Sequence, residues 1–348
     1  MLPSKNPVAK LPNLLLPWYQ QNKRDLPWRQ NKDPYRVWIS EIMLQQTRVE
    51  AVKGYYQRFL KALPTIEALS KVPEEELLKL WEGLGYYNRA RNLQKAAQQI
   101  MTEHGGTFPN IYEDIRALKG IGDYTAGAIS SICFEMPKAA VDGNVLRIMA
   151  RLSADSTPID LQETKKRVVE TLEGVYPKGK CGDFTQSLME LGACVCTPRT
   201  PKCETCPVQS ICKAYKNGNV LSFPVKLPKK EKKEVKKTVF LFTHAGKFAI
   251  QKRQNKGLLA GLWQFPNIDE NLSAEEALKK AKQFGVCPVE LQKEIHKVHI
   301  FTHIRWDMVG YQIECQEETE NFIWAGEEDF LKTYALPTAF KIFLDTTE

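Results

Sequence analysis

The sequence predicts a multidomain chain, with an all-α domain followed by a small α/β domain. Three observations carry that expectation. Apolar residues recur at helical spacing through residue 194, a stretch rich in lysine and proline then breaks the pattern, and short apolar runs separated by glycine begin at Thr238. The expected boundaries are a helical domain over 1–216, a basic linker over 217–237 and a second domain over 238–348.

At 348 residues the chain is long enough for two cores, and a net charge of +8 suits a polyanionic partner. No apolar run approaches the roughly 20 residues of a membrane span, and the start lacks a signal-peptide pattern. A cytoplasmic location without membrane contact is therefore expected. Nine cysteines, four of them clustered, favour metal ligation over disulfides in such a chain.

In chain order, an apolar lead-in over 11–21 runs into the basic and aromatic stretch Lys23 to Arg29. Residues 35–49 (YRVWISEIMLQQTRV) show a helical period that places Glu41 on a mostly apolar helix. An acid there is more often solvated or paired than catalytic. Residues 64–80 carry further helix signals, with Glu74, Glu75 and Glu76 in a first turn. The run 83–92 (GLGYYNRARN) opens another helix with two tyrosines and two arginines, either a plain basic helix start or a stacking and phosphate surface.

The centre is the stretch 118–147. Gly120 and Gly122 flank Ile121 in a tight turn, where glycine can take positive φ and let N–H groups converge on an anion. The small-residue helix that follows points its N-terminus at the same anion. Asp142 then stands on a sharp turn before the helix 145–152 (VLRIMARL). A phosphate-gripping hairpin that delivers one carboxylate points to chemistry on a nucleic acid.

Further helices are expected over 164–176 and 184–194. Cys196, Cys203, Cys206 and Cys212 follow as C-x6-C-x2-C-x5-C. Four thiolates so close repel one another unless a metal neutralises them. Structural zinc sites of four cysteines usually pair two C-x-x-C knuckles; with one knuckle in a compact loop, the spacing favours a [4Fe–4S] cube over zinc. After the linker, strands are expected in 238–244, 247–253 and 261–266, a helix over 272–284 capped by Ser273, then strands in 296–301, 305–314 and 322–325 and a closing helix.

The motifs WISEIMLQQTRV, GLGYYNRARNL, LKGIGDYTAGAI, VDGNVLR, MELGACVC and the four-cysteine loop together resemble the helix–hairpin–helix DNA glycosylases, and among them the MutY adenine DNA glycosylase family. The part after the linker resembles that family's Nudix-like domain. Lys282 and Gln283 stand where a Nudix hydrolase carries paired glutamates, which leaves a recognition role rather than metal-dependent hydrolysis.

The resemblance implies a monofunctional glycosylase of base excision repair that acts, as a monomer, on duplex DNA with adenine opposite 8-oxoguanine or guanine. Glu41 would protonate adenine N7, and Asp142 would stabilise the oxocarbenium-like sugar, positioned by Tyr124 and Asn144. Bifunctional relatives of the endonuclease III type carry a lysine where Tyr124 stands, and tyrosine cannot form an imine. Arg24, Trp28 and Gln186 would line the adenine pocket. Gln46 and Tyr86 would fill the gap left by the flipped base, with Thr47 near the opposite base. Phe301, Thr302 and His303 would read 8-oxoguanine, with threonine where relatives commonly have serine. A catalytically silent DNA-binding iron–sulfur protein would need neither Glu41 nor Asp142, and a nucleotide hydrolase would need an intact Nudix box.

Overall fold

The computed structural model describes residues 7–228 and 231–344, which fall into two compact units, Met1–Lys71 with Asn92–Pro228 and Val72–Arg91 with Lys229–Glu348. Among the described residues no helix is long and apolar enough to cross a membrane.

The first unit is helical. It contains α1 (Leu11–Asn22), α2 (Pro34–Leu44), α3 (Val49–Ala62) and α4 (Ile66–Lys71). After α5 (Glu74–Leu80), which belongs to the second unit, come α6 (Asn88–Glu103), α7 (Tyr112–Ala117), α8 (Asp123–Phe134), α9 (Gly143–Ser153), α10 (Gln162–Glu173), α11 (Cys181–Cys194) and α12 (Lys213–Lys216). Leu11 and Leu15 of α1, Val145, Ile148, Met149 and Leu152 of α9, and Phe184, Leu188 and Leu191 of α11 form one buried cluster. On the other side α8 packs against both α2 and α11. Four helices that carry predicted site residues therefore pack in one connected series, α2 on α8, α8 on α11 and α11 on α9.

Local chemistry sets where these helices begin. Asp33 caps α2, accepting from Tyr35 N at 2.9 Å, with Pro34 supplying the fixed φ of a first helical residue. Asp142 caps α9 in the same way, accepting from Asn144 N at 2.9 Å and Val145 N at 2.8 Å. The single helix expected over 35–49 is two. Residues 45–48 (QQTR) offer no apolar face to bury, and the chain turns through Gln46 at φ 59° before α3 begins.

Parts of the expected linker over 217–237 are built into the two units. Phe223 is buried with Leu146, Ala150, Ile159 and Ala214, and Ile159 N donates to Val225 O at 3.1 Å. The guanidinium of Arg151 donates to Val220 O and Phe223 O, both at 3.1 Å. At the other end, residues from Lys233 onward are already strand. The lysines dominated the composition, while one buried phenylalanine decides the structure. Phe223→Ala is expected to destabilise the helical unit by roughly 3–4 kcal/mol, read as a lower denaturant midpoint; an unchanged midpoint would show that the segment is only draped on the surface.

The second unit is a mixed sheet of β1 (Lys233–His244), β2 (Lys247–Lys252), β3 (Trp263–Gln264), β4 (Asn267–Ile268), β5 (Pro288–Ile300), β6 (Ile304–Cys315) and β7 (Ile323–Ala325), with the order β3-β2-β1-β6-β5. β1 runs parallel to β6, from Lys233 opposite Ile304 to Thr243 opposite Glu314. Alternation along β1 puts Phe240 and Phe242 against Ala277 and Ala281 of α13 (Ala274–Gln283), and Val239 and Leu241 with Phe340 and Phe343 on the opposite face. Ser273 caps α13 as expected, within a capping box.

The segment Val72–Arg91, expected within the helical domain, belongs to this unit. Its polar groups are satisfied there: Lys79 Nζ donates to Phe330 O at 2.6 Å, Glu82 accepts from Leu336 N at 3.1 Å, and Arg91 Nη2 donates to Ala260 O at 2.7 Å.

Candidate active site

An open cavity of about 850 Å³ in the helical unit is lined by residues of six different segments. Arg24, Trp28, Glu41, Thr47, Tyr124, Asp142, Asn144 and Gln186, eight of the residues singled out from the sequence, all face it. α2 delivers Glu41 two turns after its cap, on a helix whose residues 37–43 are all buried. The side chain is 5% exposed, and burial pushes its carboxyl up to about 7, against the opposing bond from Tyr124 and assisted by the charge of Asp142. Tyr124, on the first turn of α8, donates its hydroxyl to Glu41 Oε2 at 2.9 Å. Burial raises that phenol well above its ordinary value, so it remains a donor.

Asp142 is held differently. Oδ1 accepts the two cap N–H bonds, and Oδ2 accepts from Asn144 Nδ2 at 2.8 Å. Asn144 is fixed in turn because Arg147 Nη2 donates to its Oδ1 at 2.9 Å, while the same guanidinium bonds Gly192 O and Cys196 O. Gly192 has a steric reason to lack a side chain: a Cβ there would lie 2.7 Å from Asn144 Cβ. The cavity thus contains one buried, protonatable carboxyl and one carboxylate locked as an acceptor.

The hairpin between α7 and α8 lies outside the cavity lining. Gly120 takes φ 78°, and a Cβ on it would stand 2.6 Å from Asn92 Cβ. Gly122 does not share the expected positive φ; it is the extended N-cap of α8 at φ −96°. Gln46 sits on the turn after α2.

Tyr86, Phe301, Thr302 and His303 lie in the second unit. Two of them, expected in separate roles, meet: the Tyr86 hydroxyl and Thr302 Oγ1 are 2.5 Å apart. Phe301 N donates to Ile304 O at 2.8 Å and closes the turn between β5 and β6, with the Phe301 ring wedged edge-on between His299 and Trp306.

Sequence reasoning missed Arg29, which lines the cavity, and Tyr19, Arg147 and Glu190, which hold lining residues from behind. Arg29 left a signal as the residue after Trp28 in a Pro-Trp-Arg turn, and Arg147 and Glu190 stand in the motifs VDGNVLR and MELGACVC, which gave them no role by themselves.

Residues 39–178 match the HhH-GPD superfamily of base excision DNA repair proteins, residues 196–212 the iron–sulfur binding domain of endonuclease III, and residues 238–346 the NUDIX domain. A protein from Rattus norvegicus, named adenine DNA glycosylase, is 33% identical over 94% of this chain and 76% of its own length. The chain belongs to the adenine DNA glycosylase family. Its counterpart in Arabidopsis thaliana is 38% identical over 96% of the chain, which spans 61% of that longer protein. Among solved structures, a thermostable thymine-DNA glycosylase is 33% identical with a TM-score of 0.56 and covers 61% of this chain and 97% of its own. A complex of endonuclease III with DNA (24% identity, TM-score 0.52, covering 61% of this chain and 97% of its own) shares the helical fold.

Membership of the adenine DNA glycosylase family makes the chain a hydrolase of N-glycosyl bonds in base excision repair, with a [4Fe–4S] cluster. The residues present fit that cofactor. Cys196, Cys203, Cys206 and Cys212 are free thiols around one cavity of about 370 Å³, walled by Ile148, Leu152, Val195 and Val208. Burial, with the other thiols adding to it, pushes the Cys206 thiol up to about 12, so thiolates there call for a cationic centre. Arg151, 1% exposed, places Nη1 at 3.3 Å from Cys196 Sγ and bonds Thr197 O and Pro198 O, bracing the loop.

Proposed function

We propose that the chain releases adenine paired with 8-oxoguanine or guanine from duplex DNA and leaves the strand uncut. The observation that carries this reading is the unlike carboxyl pair in one cavity, Glu41 pushed by burial toward its protonated form and Asp142 fixed by three N–H donors. An adenine flipped from the stack enters between Trp28 and the wall formed by Arg24 and Gln186. Glu41 gives its proton to N7, the N-glycosidic electron pair leaves with the base, and Asp142 faces the positive charge that develops at the anomeric carbon. Water then adds to that carbon and returns a proton.

Tyr124 has no amine, so no imine forms and no strand cleavage follows. Gly120 and Gly122 grip phosphate at the hairpin, Gln46 and Tyr86 fill the vacated stack, and Thr47 lies by the opposite base. Phe301, Thr302 and His303 read that base. Cys196, Cys203, Cys206 and Cys212 would hold the [4Fe–4S] cluster, which would supply a rigid cross-link of the loop rather than a reacting group.

Single-turnover assays on duplexes with adenine opposite 8-oxoguanine, adenine opposite guanine, and thymine opposite guanine test this. The expected result is adenine release, with strand breaks only after alkali. The resemblance to a thymine-DNA glycosylase makes thymine the competing substrate. Faster release of thymine than adenine would overturn the assignment, and breaks without alkali would overturn the monofunctional reading.

A further inference from the structure

Glu190, on α11, stands behind the cavity wall with no part in the chemistry above. It has no exposed surface, and its carboxylate accepts from Arg24 N at 3.3 Å, Arg24 Nε at 2.6 Å, Arg24 Nη2 at 3.1 Å and Arg29 Nη2 at 2.6 Å. Against its burial, the bonds from Arg24 and the charge of Arg29 hold this carboxyl below its ordinary value, so it stays an anion.

Arg24 and Arg29 line the cavity that also holds Glu41. The charged and titratable groups that act on Glu41 are Tyr124 on α8, Asp142 before α9 and Arg29 before α2. Cys133, further along α8, is neutral, its thiol pushed up to about 12 by burial. α11 faces the cavity with Gln186, Met189 and Ala193, none of them charged. A guanidinium keeps its charge at any working pH, and a cation beside a buried carboxyl draws off its proton. Two guanidiniums in this wall work against a protonated Glu41. Glu190 is the anion that pairs both.

We propose that Glu190 is a positioning residue for the acid step: it pairs off the two guanidiniums in the wall, so that Glu41 keeps its proton for the base at neutral pH. The inference rests on the reading of Glu41 as the general acid. It assigns Glu190 a role through charge, carried across the wall by Arg29, rather than through contact with the base.

The test is the pH profile of single-turnover adenine excision, with the full chain carrying its cluster. In the wild type the rate falls as pH rises through the Glu41 value, lifted by burial to about 7. Glu190→Gln keeps the shape and removes the charge, so the wall goes from one net positive charge to two. The midpoint of the fall is expected to move down by about one pH unit. Arg29→Gln takes the net charge of the wall to zero and should move the midpoint up. The double variant Arg29→Gln with Glu190→Gln restores the wild-type charge and should bring the midpoint back. A merely structural role slows excision at every pH alike, so a wild-type midpoint in Glu190→Gln overturns the inference even where the rate drops. If Glu190→Gln does not fold, Arg29→Gln and the double variant decide, and equal midpoints in those two overturn it. Wild-type protein whose excision does not fall above pH 7 overturns the reading of Glu41 as the acid, and this inference with it.

Discussion

Asp142→Asn is expected to bind duplex DNA and fail to release adenine. Asparagine caps helices as well as aspartate does, so its oxygen can keep the bonds from Asn144 N and Val145 N that start α9. What goes is the negative charge, and the second oxygen becomes an NH2 that faces Asn144 Nδ2, donor against donor. Loss of preorganised charge opposite a developing cation costs on the order of 10²–10³ in rate. Stability should move by only about 1 kcal/mol, one hydrogen bond's worth. Gel-shift titration beside single-turnover excision separates the two effects. Excision within tenfold of wild type would remove Asp142 from the chemistry, and loss of binding would make it a residue of the scaffold.

Glu41→Gln should lose excision and gain stability together, with opposite pH weights. Glutamine keeps an oxygen for the Tyr124 hydroxyl and has no proton to give, so excision should fall by about 10²–10⁴. In the wild type, burial lifts the carboxyl from 4.5 to about 7. Its folded-state value is the higher one, so the stabilisation is complete below the unfolded value and is lost as pH rises through about 7. Glutamine has no such loss. The variant should match wild type near pH 4 and exceed it by on the order of 3 kcal/mol at pH 8. Denaturant melts across that range measure the difference. A gap that does not widen with pH would mean that Glu41 is solvated and ionised in the folded chain, unfit as an acid at neutral pH. The wild-type rate should fall about tenfold per pH unit above pH 7 for the same reason.

What the sequence disclosed about the site was local. The cap at Asp142, the turn at Gly120 and the helix that carries Glu41 each depend on neighbours a few positions away. The four cysteines are legible because metal ligation leaves a spacing. Glu190 and Tyr19 were not legible, because their partners lie 161 to 167 positions away and only the packing of α1 and α11 brings them together. The same limit hid the parallel pairing of β1 with β6, while the antiparallel β5–β6 hairpin could be read from adjacent runs. Composition hid the packed part of the expected linker, since seven lysines between 226 and 237 outweigh one phenylalanine in a count but not in a core.

The placement of Val72–Arg91 with the sheet unit also sets an order of events during synthesis. Glu82 bonds to Leu336, 254 positions later in the chain. At about 5–20 residues per second a ribosome needs on the order of 10–50 s to reach that partner. For most of that interval Val72–Arg91 has left the ribosome, while Phe330 and Leu336, the residues that bond Lys79 and Glu82, have yet to be made. The helical unit has its last segment by Pro228 and can close around a loop that is still waiting. Truncated or stalled chains would therefore release a glycosylase domain with one unanchored loop, and that loop carries Tyr86.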